Sequence, residues 1–207
     1  MVCHPRQNRD ALYAQTPASL DPGGNPVFVT WRLAGSLPPR AALTDDQTRS
    51  SVKHPFLRHD EQLDRVPSGP VWLQDSRIAR VVADALRYGE TVRGFYQLHA
   101  WVVMPNHVHA IFQPHAAMPA IMRWLKGRTG RVVNQILGRA GTALWQDESF
   151  DHSIRSAEEL RDLVEYVENN PVKACLVEVK EQWRWSSAGW ETDDKNRSSV
   201  PRCVRSK

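Results

Sequence analysis

Residues 99–114, "HAWVVMPNHVHAIFQP", decide how the chain folds. Two apolar runs flank Met104-Pro105-Asn106, a turn-forming triplet, so the stretch reads as two antiparallel strands joined by a tight connection. Side chains alternate along a strand. His107, His109 and Ile111 therefore share one face, and Val108, Ala110 and Phe112 share the other. Same-face neighbours stand about 7 Å apart along the strand, close enough for two imidazoles to tilt toward one divalent cation. The competing reading is a pair of half-exposed histidines on the solvent face of a sheet.

Outward from this hairpin, "PVFVTWRLAG" (26–35) alternates like a strand, with Phe28, Thr30 and Arg32 set against Val27, Val29 and Trp31. "LQDSRIARVVADALRYGE" carries Ile78, Val81, Val82 and Ala85 at helical spacing, with Asp75 or Ser76 as cap. A second helix is expected over about 119–137. "ALWQDESFDHSIR" follows as a strand or extended segment. "SAEELRDLVEYVENN" is a third helix, capped by Ser156 with Glu159 in the capping-box position and closed by Pro171. The order implies an α+β fold, an antiparallel sheet with helices packed on one face. Residues 1–25 read as a flexible arm, 26–191 as one domain, and 192–207 as a disordered tail. Residues 38–70 read as a polar excursion with a short helix near "LRHDEQLDR".

The 207 residues hold 27 Lys plus Arg against 23 Asp plus Glu, so the excess of +4 matters less than its distribution. No acidic residue occurs from Met118 to Gln146, while Arg123, Lys126, Arg128 and Arg131 fall within that window. Such a surface suits the phosphates of nucleic acid; the plainer reading is a solvated helix face. Cys3, Cys175 and Cys203 lack the spacing of a zinc site or a disulfide framework. With no signal peptide or membrane-length apolar run, a cytoplasmic protein with no membrane partner is expected.

On the third helix, Leu160, Leu163, Val164 and Val167 make the apolar stripe. Tyr166 lies about 100° off its centre, so its hydroxyl is expected to show rather than be buried. Asn170 follows one turn later on the same flank. Two readings stand: a hydroxyl nucleophile beside an amide metal ligand, or a tyrosine edging the core before an asparagine cap.

These segments together resemble a known family. "FVTWRLAGSLP", "GPVWLQDSRIARVVADAL", "HAWVVMPNHVHAIF", "SFDHSIRSAEEL" and "YVENNPVKACLVEVKEQWRWSSAGW" resemble, in order, the REP-associated tyrosine transposases, single-tyrosine HUH nucleases of the insertion-sequence transposase superfamily. The resemblance implies a ferredoxin-like HUH endonuclease core. It places the His-hydrophobic-His motif on His107, Val108 and His109, the catalytic tyrosine on Tyr166, and a further metal ligand on Asn170. It implies a Mg²⁺- or Mn²⁺-dependent DNA transposase that cleaves and rejoins single-stranded, hairpin-containing REP-like DNA. The intermediate would be a 5′-phosphotyrosine, formed by a monomer or homodimer. Where the family usually has glycine after "NPVKA", this chain has Cys175, at a position suited to a left-handed turn. Two rivals remain: a non-cleaving hairpin-binding protein derived from a transposase, using the basic helix and stacking bases on the tryptophans of "EQWRWSSAGW", and a zinc hydrolase using the two histidines with a bound water.

Overall fold

The computed structural model describes residues 24–36 and 69–190. The arm over 1–23, the helix near "LRHDEQLDR" and the tail from 191 lie outside the described residues. Among these residues, four strands and three α-helices follow in the order β1 (Val27–Arg32), α1 (Ser76–Thr91), β2 (Tyr96–Val103), β3 (His107–Pro114), α2 (Met118–Ile136), β4 (Phe150–Ser153) and α3 (Ala157–Lys173).

The sheet order is β2-β3-β1-β4, antiparallel at each pairing. With β1-α1-β2-β3-α2-β4 connectivity, this is the split β-α-β arrangement of a ferredoxin-like fold. Residues 104–106 close the β2–β3 hairpin, where Val103 pairs with Val108 and Met104 N–H donates to the His107 carbonyl at 2.9 Å. That turn sets the register, and the register sends every histidine-side residue to one face.

Burial divides on this alternation. On one face Val29, Trp31, Val108, Ala110 and Phe112 pack with Ile78, Val82 and Leu86 of α1 and Ile121, Leu125 and Val133 of α2. On the other, Phe28, Ala100, Val102 and Ile111 pack with Leu163, Val164, Tyr166 and Val167 of α3. The antiparallel α+β architecture forms as expected, but helices on a single face do not. Phe28 and Ile111 are as apolar as the residues beneath α1 and α2, so the second face also needs a cover, and α3 supplies it.

Both expected N-caps form. The Asp75 carboxylate accepts from Arg77 N–H at 2.9 Å, and Ser156 Oγ accepts from Glu159 N–H at 3.1 Å. The Glu159 carboxylate bonds one residue further back than a capping box requires, accepting from Arg155 N–H at 2.8 Å and meeting His152 Nε2 at 2.8 Å. That pair ties β4 to the start of α3.

Pro171 does not close α3; it lies inside the helix, which runs on to Lys173. Without an N–H it cannot bond back to Val167, yet one lost bond in the final turn is offset by the buried packing around it. The helix ends two residues later in a Schellman motif, with Leu176 N–H to the Pro171 carbonyl at 2.9 Å and Cys175 N–H to the Val172 carbonyl at 3.0 Å. Cys175 takes the left-handed position at φ 55°. A side chain there costs about 1 kcal/mol, partly offset because glycine loses more freedom on folding. Cys175→Gly should therefore raise unfolding stability by up to about 1 kcal/mol in urea melts. A loss of stability would show that the thiol makes a compensating contact.

The tryptophans of "EQWRWSSAGW" do not form a stacking platform. Val103 N–H donates to the Trp185 carbonyl at 2.8 Å, and Trp183 Nε1 donates to the Val103 carbonyl at 3.1 Å. Trp185 is buried, and Trp183 and Trp190 pack against the core. This segment covers the exposed edge of β2, where unpaired backbone groups would otherwise invite another strand.

Candidate active site

The hairpin register and the third helix together build one polar cluster in an otherwise apolar layer. His107 and His109 project from β3 beneath α3, and both are fully buried. They are not half-exposed surface histidines. Burial pushes the His107 imidazolium pKa down to about 3; burial, His107 and the nearby Lys173 hold that of His109 well below its ordinary value. Both rings are neutral, the form a metal ion needs.

Their hydrogen bonds set the tautomers. Asn106 Oδ1 lies 2.6 Å from His107 Nδ1. An amide oxygen only accepts, so Nδ1 carries the proton and Nε2 presents a lone pair. The two Nε2 atoms face each other at 2.9 Å, which requires a proton on His109 Nε2. His109 Nδ1 is then the acceptor for Thr30 Oγ1, 2.8 Å away. For both Nε2 atoms to serve as ligands, His109 would carry its proton on Nδ1 instead and donate it to Thr30 Oγ1. Asn106 and Thr30 would orient the rings from behind.

Tyr166 lies over this pair. Its ring is 5.9 Å from that of His109 and 6.3 Å from that of Phe28, both edge-on, and the Lys173 ammonium sits 4.2 Å from its centroid. The expectation of a displayed hydroxyl fails: Tyr166 is 8% exposed. The offset from the aliphatic stripe is real, but the sheet beneath α3 carries its own polar patch, so the polar flank of the helix is buried against it. Asn170, between Tyr166 and Lys173 on the same flank, is 0% exposed. It does not serve as a cap through its side chain. Neither Oδ1 nor Nδ2 has a hydrogen-bond partner among the described residues.

A buried amide with both atoms unsatisfied costs about 1–3 kcal/mol per group and calls for a reason. A neutral oxygen ligand beside two neutral imidazoles fits a divalent cation that also seeks phosphate oxygen. Among the described residues no cluster of three or more His, Cys, Asp and Glu could hold a metal.

The basic residues are not part of this cluster. Arg123, Lys126, Arg128 and Arg131 lie on α2, across the sheet. The Lys126 ammonium donates to the carbonyls of Gln146 and Asp147 at 3.0 Å and of Glu148 at 3.3 Å, so it staples a loop. Arg128 lies over the Tyr88 ring, 5.0 Å from its centroid, while Arg123 and Arg131 are exposed. Sequence reasoning did not single out Thr30, Asn106, Arg32 or Lys173. Thr30 and Arg32 do alternate onto one face of β1, but only the β1–β3 pairing shows that this is the histidine face.

Residues 81–170 match the family model described as "Transposase IS200 like", a span holding both histidines, Tyr166 and Asn170. That match spans less than half of the chain. The chain is 30% identical over 94 residues to the REP-associated tyrosine transposase of Escherichia coli (strain K12), a match spanning 44% of this chain and 54% of that protein. The match thus reaches about half the relative's length. Among solved structures, the chain is similar to a REP-associated tyrosine transposase bound to a REP hairpin, at 20% identity and TM-score 0.48, covering 89% of this chain and 87% of that one. It is also similar to a putative transposase from Deinococcus radiodurans R1, at 16% identity and TM-score 0.40, covering 81% and 97%. No helix among the described residues is long and apolar enough to cross a membrane.

Proposed function

We propose that the protein is a metal-dependent single-stranded DNA transposase that cleaves and rejoins hairpin-containing, REP-like DNA through Tyr166. The observation that carries this reading is the fully buried, unpartnered amide of Asn170, one helical turn from Tyr166, whose ring lies against that of His109. The substrate class follows from the similarity to REP-associated tyrosine transposases.

His107 and His109 would hold a Mg²⁺ or Mn²⁺ ion through Nε2, and Asn170 through Oδ1. When bound, the ion supplies Lewis-acid polarisation of the scissile phosphate. The chain's residues do the rest. Asn106 and Thr30 hold the imidazoles in register. Tyr166 presents its oxygen to the phosphorus; as the new phosphorus–oxygen bond forms, the bond to the 3′-oxygen breaks, and the proton lost by the phenol is balanced by the one the departing 3′-oxygen takes up. The 5′-phosphate stays on the tyrosine, and the freed 3′-hydroxyl can reverse the step. Apolar walls from Phe28 and Ile111 exclude competing water. A zinc hydrolase would need a general base at the pair, and an amide cannot serve as one.

Incubation with a hairpin-bearing single strand and Mg²⁺ or Mn²⁺, then a denaturing gel, tests the reading. A slow, protease-sensitive protein–DNA band is expected. Tight hairpin binding without that band in either ion would overturn it in favour of a non-cleaving binding protein.

A further inference from the structure

Two cations approach the candidate site, one from the sheet and one from the helix. Arg32 is the β1 residue directly across from His107. Alternation places it on the same face as Thr30 and the histidines, and cross-strand partners have Cβ atoms about 4.5–5.5 Å apart. Arg32 is half-buried, and Nη1 makes a long hydrogen bond of 3.4 Å to Ser36 Oγ. The charged group that acts on it is Glu148, while burial works against its charge. A guanidinium carries five donors, so a partly desolvated one with so little bonding has capacity for an anion.

Lys173 approaches from α3. It is exposed, lies two turns beyond Tyr166, holds its ammonium 4.2 Å from the Tyr166 ring centroid, and is close enough to act on His109. The two imidazoles are neutral, and the Asn170 amide carries no charge. The acid-free helix α2, by contrast, lies on the far side of the sheet.

We propose that Arg32 and Lys173 form a two-point phosphate clamp that draws the backbone of a single DNA strand across the Tyr166 cluster. The proposal rests on the DNA-processing reading above for the identity of the strand, but not on cleavage. The plainer alternative makes Lys173 a partner of the helix C-terminus and Arg32 a partner of Glu148. Neither role would alter DNA binding.

The probe is a labelled single-stranded hairpin oligonucleotide with an unpaired tail, titrated over a range of salt in EDTA against protein carrying Tyr166→Phe. Neither metal nor adduct then contributes. Arg32→Gln and Lys173→Gln should each reduce the slope of log affinity against log salt by about 0.7, and the pair by about 1.4. Arg32→Lys and Lys173→Arg should restore it. A double variant with the starting slope would overturn the clamp. Should Arg32→Gln fail to fold by circular dichroism, exposed Lys173 decides alone, and an unchanged slope in Lys173→Gln overturns the clamp. Wild-type adduct formation is measured in parallel. An adduct with unchanged slopes removes the clamp and leaves the transposase reading; reduced slopes without an adduct do the reverse.

Discussion

Tyr166→Phe should abolish the covalent protein–DNA band while leaving fold and hairpin affinity nearly intact. The substitution removes one oxygen and no ring carbon. The edge-on contacts with His109 and Phe28 survive, as does the Lys173 ammonium over the ring, 4.2 Å from its centroid. Unfolding stability should stay within about 1 kcal/mol of wild type. Affinity should also hold, since phosphate contacts carry most of it. Tyr88 and Tyr96, the other described tyrosines, cannot substitute. Tyr96 is buried with its hydroxyl donating to the Leu86 carbonyl at 2.9 Å, and Tyr88 belongs to α1 on the opposite face. An adduct that persists in Tyr166→Phe would sink the assignment, and mass spectrometry of the linked peptide would name the true nucleophile.

Asn170→Leu should move stability and activity in opposite directions. Both side chains branch at Cγ, leucine being the bulkier, and the amide makes no hydrogen bond among the described residues. Replacing it with an isobutyl group removes an unpaid desolvation cost, so the metal-free protein should gain about 1–3 kcal/mol in urea unfolding with EDTA. The same change deletes the oxygen ligand. Thermal stabilisation by added Mn²⁺ should shrink, and adduct formation should fall by about 10²-fold or more. Destabilisation without metal, together with an undiminished Mn²⁺ shift, would mean that the amide serves the fold rather than an ion. Few structural roles predict a gain in stability at a residue that activity requires.

Much of this protein was legible in one dimension. Period-2 alternation around Met104-Pro105-Asn106 determined that His107 and His109 share a face, because a strand permits no other arrangement once the hairpin turn is set. Helical periodicity and cap chemistry at Asp75 and Ser156 located α1 and α3, since both depend on residues within four positions of each other. The family resemblance singled out Tyr166 and Asn170, although spacing alone left them ambiguous.

Other features depended on which surfaces meet. The apolar stripe of α3 indicated that the helix packs on something, but not that it covers the sheet face opposite α1 and α2. Nor did it show that the patch beneath it is polar. That meeting buries Tyr166 and Asn170, where a purely apolar partner would have left their flank at the edge. It also separates the acid-free helix from the site, because sequence charge carries no information about sheet sidedness. The tryptophans near the end of the domain looked equally suited to stacking on bases and to burial. An open β2 edge, created only when four strands assemble, gave them a backbone to pair with. Local rules thus determined the elements and the histidine pair; contacts between residues tens of positions apart decided what those elements face. The site belongs to the second kind, with Thr30, His109 and Tyr166 brought together from two strands and a helix.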